Sequence, residues 1–480
     1  MGNILVKYKN MGVQAKAAIW FTFCSILQKG ISMITVPIFT RLLTTDEYGI
    51  YSIYLSWLNI LTVFTSLNLY YGVFNNAMLK YEDDRDRYTS SMQGLVIILT
   101  SGVFVAYLLG HSLFNNLLGL STVFVILMFI EMLVSPALQF WSARQRFDYK
   151  YKSLIAVTLA KSLLNPVIGV IAVLLSRDRA LARVASVVFI EVLFCGSIMI
   201  YQFIKGKSFY VKEYWKYALG FNLPLIPHYL SGSILNQGDR VMIDNIVGKS
   251  AVGIYSVAYN VGMLMQIFTN AINSAFTPWM YTSLRDKKYK EIKRVASLLL
   301  LLMAGLVWML MAFAPEVVRV FASEAYYEAI YVIPPIAASV FFIFMYILFS
   351  NLEFYYEKNK FIMLASIGAA VLNIILNAIF IPVFGYLAAG YTTLASYVIY
   401  CFSHYLFCRL ICKEKLKGDM LYDSKFIFVL SVIVIVSTMF FTTLYRLFAV
   451  RYLLLVVLAG IIIAKRNYLI EQFKILKEKG

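Results

Sequence analysis

The chain has 480 residues, of which 61% are hydrophobic and only 14% are charged. Soluble domains are closer to half apolar and one quarter charged, so this composition excludes a water-solvated globular fold. The formal net charge of +18 follows from basic residues in short loops between apolar runs, as membrane orientation requires, and we expect no nucleic-acid partner.

Apolar runs long enough to cross a bilayer recur along the whole chain. We predict an all-α integral membrane protein with about fourteen transmembrane helices and short connecting loops. The predicted spans lie near residues 17–38, 49–72, 90–109, 116–138, 154–175, 183–203, 218–238, 251–275, 295–314, 329–350, 361–381, 386–408, 425–445 and 450–464.

The distribution of Lys and Arg predicts the orientation of these spans. Alternate loops, taken together with the two termini, hold 32 of the 43 basic residues. Positively charged loops favour the cytoplasm, so we predict that both termini are cytoplasmic. An odd number of spans would break this alternation, which supports an even count.

A four-residue motif occurs twice in the chain. Gly49-Ile50-Tyr51-Ser52 returns as Gly253-Ile254-Tyr255-Ser256, 204 residues later. We therefore predict two parallel six-helix bundles, residues 1–206 and 207–412, related by an axis along the membrane normal. Residues 413–480 would add two helices and a basic cytoplasmic tail. Transporters built from such repeats bind their substrate between the copies.

Ionisable residues inside membrane spans are costly and therefore need a reason. Lys29 lies in the middle of the first span, on a face with polar neighbours, and Glu191 reaches a similar depth in the sixth span. We favour a cation facing a cavity, with a buried Lys29–Glu191 pair as the alternative. Lys161 and Glu131 also match in depth, and we predict that they form a structural or gating pair. Glu131 and Glu191 are the only acids that we predict to lie deep in the membrane.

Polar side chains at helical spacing line the seventh and eighth predicted spans and recur in the eleventh. Such stripes either join helices by hydrogen bonds or line a hydrated passage, and their length favours the passage. Pro224 and Pro227 are expected to kink the seventh span. The residues that carry these stripes include Asn236, Gln237, Asp239, Arg240, Gln266, Asn270 and Asn373.

The sequence offers no cluster that would hold a metal ion or cofactor. Its three histidines, His111, His228 and His404, fall on different predicted helices at different depths, so we expect neither a metal nor a cofactor. The five cysteines lie in or near spans, and we predict no disulfide. No nucleophile or catalytic triad signature is present, so we do not expect an enzyme.

The chain resembles the Wzx-type oligosaccharide flippases, a family of bacterial polysaccharide exporters. The resemblance extends over essentially the whole chain and includes the span count and the two-copy layout. The residues that carry it are Pro37-Ile38-Phe39-Thr40-Arg41-Leu42-Leu43, Tyr48-Gly49-Ile50-Tyr51, Asp239-Arg240, Val252-Gly253-Ile254-Tyr255 and Ala258-Tyr259.

The resemblance implies a V-shaped pair of bundles that works by alternating access in the bacterial cytoplasmic membrane. Its substrate would be an undecaprenyl-diphosphate-linked oligosaccharide, moved from the inner to the outer leaflet for surface polysaccharide synthesis. A polymerase and glycosyltransferases would be functional partners, and the chain would act as a monomer.

The residues expected to serve that substrate fall into three groups. Diphosphate contact is expected from Lys29 first, then Arg240, then Lys161. The sugar path is expected to include Asn236, Gln237, Gln266, Asn270 and Asn373. Supporting or gating roles fall to Asp239, Glu131 and Glu191, and Asp239 is expected to orient Arg240.

Two alternatives remain open from the sequence. A cation-coupled efflux antiporter has a similar layout, but it would prefer an acidic cavity, whereas here each deep acid has a lysine at its depth. A polysaccharide polymerase or ligase would act on the same lipid, but such enzymes usually carry a long outer loop. The longest predicted outer loop, 315–328, is short.

Overall fold

The computed structural model describes residues 11–453 and residue 456. Every regular element among these residues is helical, so the predicted all-α fold is confirmed. The chain divides into two compact units, residues 1–253 and 254–480.

The first unit contains helices joined by short turns. A π-helical turn, Val192–Gly196, connects α8 to α9 without interrupting the rod, and a 3₁₀ turn, Leu223–Leu225, separates α10 from α11. The helices are α1 Val13–Leu42, α2 Thr45–Ser66, α3 Gly72–Lys80, α4 Arg85–Leu109, α5 His111–Leu118, α6 Thr122–Phe147, α7 Tyr151–Leu175, α8 Arg179–Glu191, α9 Ser197–Gly206, α10 Lys212–Asn222, α11 Ile226–Ile246 and α12, which begins in this unit and spans Lys249–Gly262.

The second unit is built around α16, whose side chains are buried along nearly its whole length. A long α18 packs against both α16 and α17. The helices are α13 Met265–Arg285, α14 Tyr289–Ala312, α15 Ala314–Phe321, α16 Ile333–Tyr355, α17 Asn359–Phe384, α18 Tyr386–Lys415 and α19 Ser424–Leu444, with a 3₁₀ segment at Glu324–Tyr331.

Eleven helices in the described part of the chain are long and apolar enough to cross a membrane. Two other predicted spans, 49–72 and 218–238, correspond to α2 and α11, which are helical but are not among those eleven. The last predicted span, 450–464, lies almost wholly outside the described residues. The protein is therefore a multi-pass membrane protein, while the total of fourteen is not confirmed.

The start of α2 is defined by its own side chains. The Thr44 hydroxyl accepts a hydrogen bond from the Glu47 amide at 3.3 Å, and the Glu47 carboxylate accepts one from the Thr44 amide at 2.8 Å. This reciprocal capping box satisfies two backbone donors at the helix N-terminus. Glu47 therefore ends the turn between α1 and α2.

Two predicted helices are interrupted in the structure. The break at Leu223–Leu225 contains Pro224, so the expected distortion of the seventh span is observed. The eighth span, expected as one helix, is divided because α12 ends at Gly262 and α13 begins at Met265. A proline removes one backbone donor and crowds the preceding turn, whereas the second break has no proline within it.

The two copies of the repeated motif meet at their glycines. A Cβ atom at Gly49 would lie 1.9 Å from the Lys249 carbonyl oxygen, and one at Gly253 would lie 2.2 Å from the Thr45 carbonyl oxygen. The Ser250 hydroxyl donates a hydrogen bond to the Thr45 hydroxyl at 2.7 Å. The N-terminal turns of α2 and α12 thus cross in a nearly symmetric backbone contact that only glycine permits.

Residues 207–222 are held firmly to the first unit. The Tyr214 hydroxyl donates to Asp84 at 2.9 Å, the Trp215 indole donates to the Ser91 carbonyl at 3.0 Å, and the Asn222 amide donates to the Leu67 carbonyl at 2.7 Å. Residues 207–222 therefore pack with the helices of the first unit. The two predicted six-helix bundles, residues 1–206 and 207–412, stay a prediction.

Candidate functional site

Helix α11 carries a group of buried polar side chains. Asp239 and Arg240 are 1% and 6% exposed. The Arg240 guanidinium donates hydrogen bonds to the Asn236 carbonyl at 2.9 Å and to the Gln237 side-chain oxygen at 3.1 Å. The same Gln237 oxygen accepts a hydrogen bond from Ser56 on α2 at 3.2 Å. Hydrogen bonds along and between helices therefore fix the direction of Arg240.

An ion pair joins α7 to the end of α8. The Lys161 ammonium lies 2.6 Å from one Glu191 carboxylate oxygen, and the Cys195 thiol lies 3.0 Å from the other. The side chain of Lys161 is 21% exposed and that of Glu191 is 10% exposed. Glu191 stands at the start of the π-helical turn, a distortion that is frequent at functional positions. Lys161 is thus held by a carboxylate in this conformation.

The predicted pairing of Lys161 with Glu131 is wrong in its partner. Glu131 is 6% exposed and accepts a hydrogen bond from the Tyr54 hydroxyl of α2 at 2.7 Å. The depth of a residue in the membrane can be read from its position along a helix, but its direction around the helix axis depends on packing. Lys161 and Glu191 are neighbours because α7 packs against α8.

Lys29 lies outside this polar group. Its side chain is exposed on α1, and among residues 11–453 it makes no hydrogen bond or ion pair. Helix α1 packs mainly against α7, where Cys24 contacts Thr158 at 3.2 Å. The alternative of a buried Lys29–Glu191 pair is therefore wrong, because Glu191 is engaged by Lys161.

Arg183 is a buried cation that the sequence did not single out. It is 3% exposed, donates to Asn165 at 3.0 Å, and stacks on the Phe39 ring at 4.1 Å. Its Nε atom has no hydrogen-bond partner in the described part of the chain. Arg183 lies near the beginning of a predicted span, so its charge was counted with the outer loop. Asn165 and the aromatic Phe39, which both contact Arg183, were the sequence signal that could have revealed this buried cation.

The expected sugar-path residues of the second unit differ in exposure. Asn270 is exposed and Gln266 is half-buried. Asn373 is fully buried between α17 and α18, where its amide donates to Thr393 at 3.4 Å and its carbonyl oxygen accepts from Asn377 at 3.2 Å. In this conformation Asn373 joins two helices, and its contact with a substrate stays a prediction.

The second unit also contains an acid that the sequence analysis did not place deep in the protein. Glu353 lies just beyond the predicted span 329–350. In the structure α16 continues to Tyr355, and the Glu353 side chain is 0% exposed against His404. Glu353 is thus buried in the protein near the end of a helix, and the depth of Glu131 and Glu191 in the membrane stays a prediction.

A sequence model described as "Polysaccharide biosynthesis protein" matches residues 15–284, more than half of the chain. The chain belongs to this family. The expected resemblance to polysaccharide exporters is thereby confirmed. A second model, described as MatE, matches residues 224–379.

Two proteins of Haemophilus influenzae are similar in sequence to this family member. Lsg locus putative protein 1 is 29% identical over 183 residues, a match that covers 35% of this chain and 43% of that protein. An uncharacterized membrane protein is 23% identical over 353 residues and covers 71% of this chain and 83% of that protein. The chain thus spans less than half of the first relative and most of the second.

Solved structures of membrane transporters share the fold. Lipid II flippase MurJ in an inward closed conformation superposes with a TM-score of 0.69 at 15% identity, covering 94% of this chain and 100% of that one. An inward-facing multidrug resistance MATE family transporter of the MOP superfamily gives a TM-score of 0.63 at 14% identity, covering 84% and 100%. At these identities the similarity establishes the fold and leaves the substrate open.

Proposed function

We propose that this chain is a flippase for undecaprenyl-diphosphate-linked oligosaccharides. It moves sugar repeat units from the inner to the outer leaflet of the bacterial cytoplasmic membrane by alternating access, for surface polysaccharide synthesis. Membership of the polysaccharide biosynthesis protein family supports this proposal. So does the fold shared with a protein named as a lipid II flippase. A diphosphate-sugar headgroup cannot cross about 30 Å of hydrocarbon unaided.

The observation that carries the proposal is that Lys29 is exposed and has no acidic partner among the described residues. Helix α1 has 30 residues, so Lys29 lies about 24 Å from its start in a helix about 45 Å long. A charge at this depth needs a counter-charge or water, and within the described residues Lys29 has no acidic partner. An anionic diphosphate passing along α1 would supply that counter-charge.

Arg240 and Lys161 take secondary roles in the proposal. The guanidinium of Arg240 is already oriented by Asn236 and Gln237, and a planar guanidinium suits bidentate phosphate contact. The amides of Asn236 and Gln237 can exchange their present hydrogen bonds for those of sugar hydroxyls. Lys161 is held by Glu191, so it becomes available to phosphate only if that ion pair opens.

The proposal also includes orientation and partners. Both termini lie in the cytoplasm, so that the basic loops face the inner leaflet. The chain works as a monomer, receives its cargo from glycosyltransferases and passes it to a polymerase on the outer side. No cofactor is required, because the chemistry consists of moving a lipid rather than making or breaking a bond.

The test is a flipping assay in proteoliposomes that contain a fluorescent undecaprenyl-diphosphate oligosaccharide. Lys29→Ala is expected to reduce the rate of flipping at least tenfold, whereas Lys29→Arg retains most of it. Lys152→Ala is the matched control, because Lys152 is also an exposed lysine without an ion pair among the described residues. Equal rates for Lys29→Ala and wild type, at equal insertion, would overturn the role of Lys29.

The match of the MatE model over residues 224–379 favours a second candidate, efflux of small organic cations. The same proteoliposomes distinguish the two functions when they are loaded with a cationic dye. A protein that moves the dye and leaves the lipid-linked oligosaccharide in place is an efflux transporter. We expect the opposite result, because the exposed charge on α1 is a cation, which would repel such a dye.

A further inference from the structure

The second unit contains a histidine–carboxylate pair that is sealed from solvent. The His404 Nδ1 atom on α18 lies 2.8 Å and 2.9 Å from the two carboxylate oxygens of Glu353 on α16. Both side chains are 0% exposed. A carboxylate that holds one ring nitrogen also fixes the chemistry of the other nitrogen, because the two share one conjugated ring.

The second ring nitrogen of His404, Nε2, is buried. It makes no hydrogen bond in the part of the chain that the structure describes. Instead the ring is enclosed by aromatic side chains, with centroid distances of 5.4 Å to Tyr346, 4.7 Å to Tyr400 and 5.6 Å to Phe361. Buried polar atoms in proteins nearly always find a partner, so this nitrogen calls for an explanation.

The explanation lies in the charge of the pair. If Nε2 has no proton, the imidazole is neutral, the carboxylate is ionised and the buried pair has one net negative charge. If Nε2 binds a proton, the pair becomes an imidazolium and a carboxylate with no net charge. Burial strongly penalises the state of the pair that has one net negative charge. Glu353 also lies in the last turn of α16, where the helix dipole disfavours an anion.

Within residues 11–453 the surroundings provide no other charge to balance the pair. The titratable groups that face it are Tyr346 of α16, Tyr400 and Cys408 of α18, and Tyr422 in the segment before α19, and all of these are ordinarily neutral. From α17 the contact is the ring of Phe361. Among the described residues no lysine or arginine nitrogen lies within 4.0 Å of Glu353. The charge of the pair is therefore set by its own protons.

We propose that the His404–Glu353 pair is a proton-binding site, loaded and closed in this conformation, through which transport is coupled to a proton gradient. The proton binds the Nε2 lone pair from water and returns to water when movement of α16 against α18 opens the aromatic enclosure. One proton is bound and one is released in each cycle, and no covalent bond changes. The coupling rests on the proposed flipping activity, whereas the proton site does not.

The first experiment examines the site without substrate. The chain has only three histidines, so ¹⁵N-histidine labelling of the full-length protein in liposomes yields three imidazole rings with two nitrogen signals each, assigned with His111→Asn and His228→Asn. The His404 ring is expected to give the protonated spectrum at low pH and the neutral spectrum at high pH, and Glu353→Gln is expected to shift that change. A His404 signal that stays in one form throughout overturns the proposal.

The second experiment tests coupling with the flipping assay and an imposed pH gradient. Wild type and the matched control His228→Gln are expected to flip several-fold faster with the gradient than without it. His404→Gln and Glu353→Gln are expected to flip at one rate under both conditions. If these variants respond as wild type does, or if wild type flips and ignores the gradient, the coupling is overturned while the flippase proposal stands. Absence of flipping in wild type contradicts the flippase proposal and leaves the spectroscopic test in force.

Discussion

The crossing of α2 and α12 at Gly49 and Gly253 allows a sharp test of the fold. A Cβ at Gly49 would lie 1.9 Å from the Lys249 carbonyl oxygen, about 1.5 Å short of ordinary van der Waals contact at 3.4 Å. Neither atom can yield by a side-chain rotation, so the two helix ends must separate. Overpacking of this kind costs about 1–3 kcal/mol, and separation also breaks the hydrogen bond between Ser250 and Thr45, worth about 1 kcal/mol.

The assay compares Gly49→Ala with Gly102→Ala. Gly102 also lies inside a helix, α4, but nothing lies within 4 Å of a Cβ placed there. Any gain in helix propensity is therefore shared by both variants. We expect Gly49→Ala to be about 2–4 kcal/mol less stable to unfolding than Gly102→Ala.

A cross-link measures the same contact directly. In a background without the native cysteines, Thr45→Cys and Ser250→Cys place two thiols where the hydroxyl oxygens now lie 2.7 Å apart. We expect rapid disulfide formation, slowed strongly by Gly49→Ala. If Gly49→Ala unfolds at the temperature of Gly102→Ala and forms the cross-link at the unaltered rate, the reasoning from this close contact is refuted.

Two further predictions concern ion pairs. Lys161→Met leaves the Glu191 carboxylate without its cation, so we expect a loss approaching the roughly 3–5 kcal/mol of a fully buried pair, and the double variant with Glu191→Met should recover most of it in thermal unfolding. At the end of α6, burial raises the pKa of Asp148, but hydrogen bonds and charge from Arg144 and Lys150 outweigh it, so the pKa lies below its usual value. The stabilisation from Asp148 is therefore present above the unfolded-state pKa of about 4 and is lost as pH falls through the folded value. Asp148→Asn should unfold with a weaker pH dependence between pH 5 and pH 3, and an unaltered profile would contradict this.

The local sequence pattern was sufficient to predict the class of the protein and the positions of most helices. A run of about 20 apolar residues is a membrane helix whatever surrounds it, because the backbone must satisfy its own hydrogen bonds in lipid. The expected break at Pro224 is observed, whereas Pro37 and Pro136 lie inside uninterrupted helices. The repeated Gly-Ile-Tyr-Ser motif contains both Gly49 and Gly253, which are in contact in the structure.

The contacts between charged groups depended on the tertiary structure. Sequence position places Lys161, Glu131 and Glu191 at particular depths, but the direction of each side chain follows from how whole helices pack. Two candidates at similar depth are therefore indistinguishable in the sequence, and Glu191 rather than Glu131 proved to be the partner of Lys161.

What the amino-acid sequence determined by itself is the set of properties that each segment decides alone: membrane insertion and helical structure. What only the tertiary structure decided is the set of properties that two distant segments decide together. Glu353 is an acid near a helix end in the sequence, and it becomes a sealed group because α18 brings His404 against it. Burial and pairing are shared between helices, so no single stretch of sequence contains them.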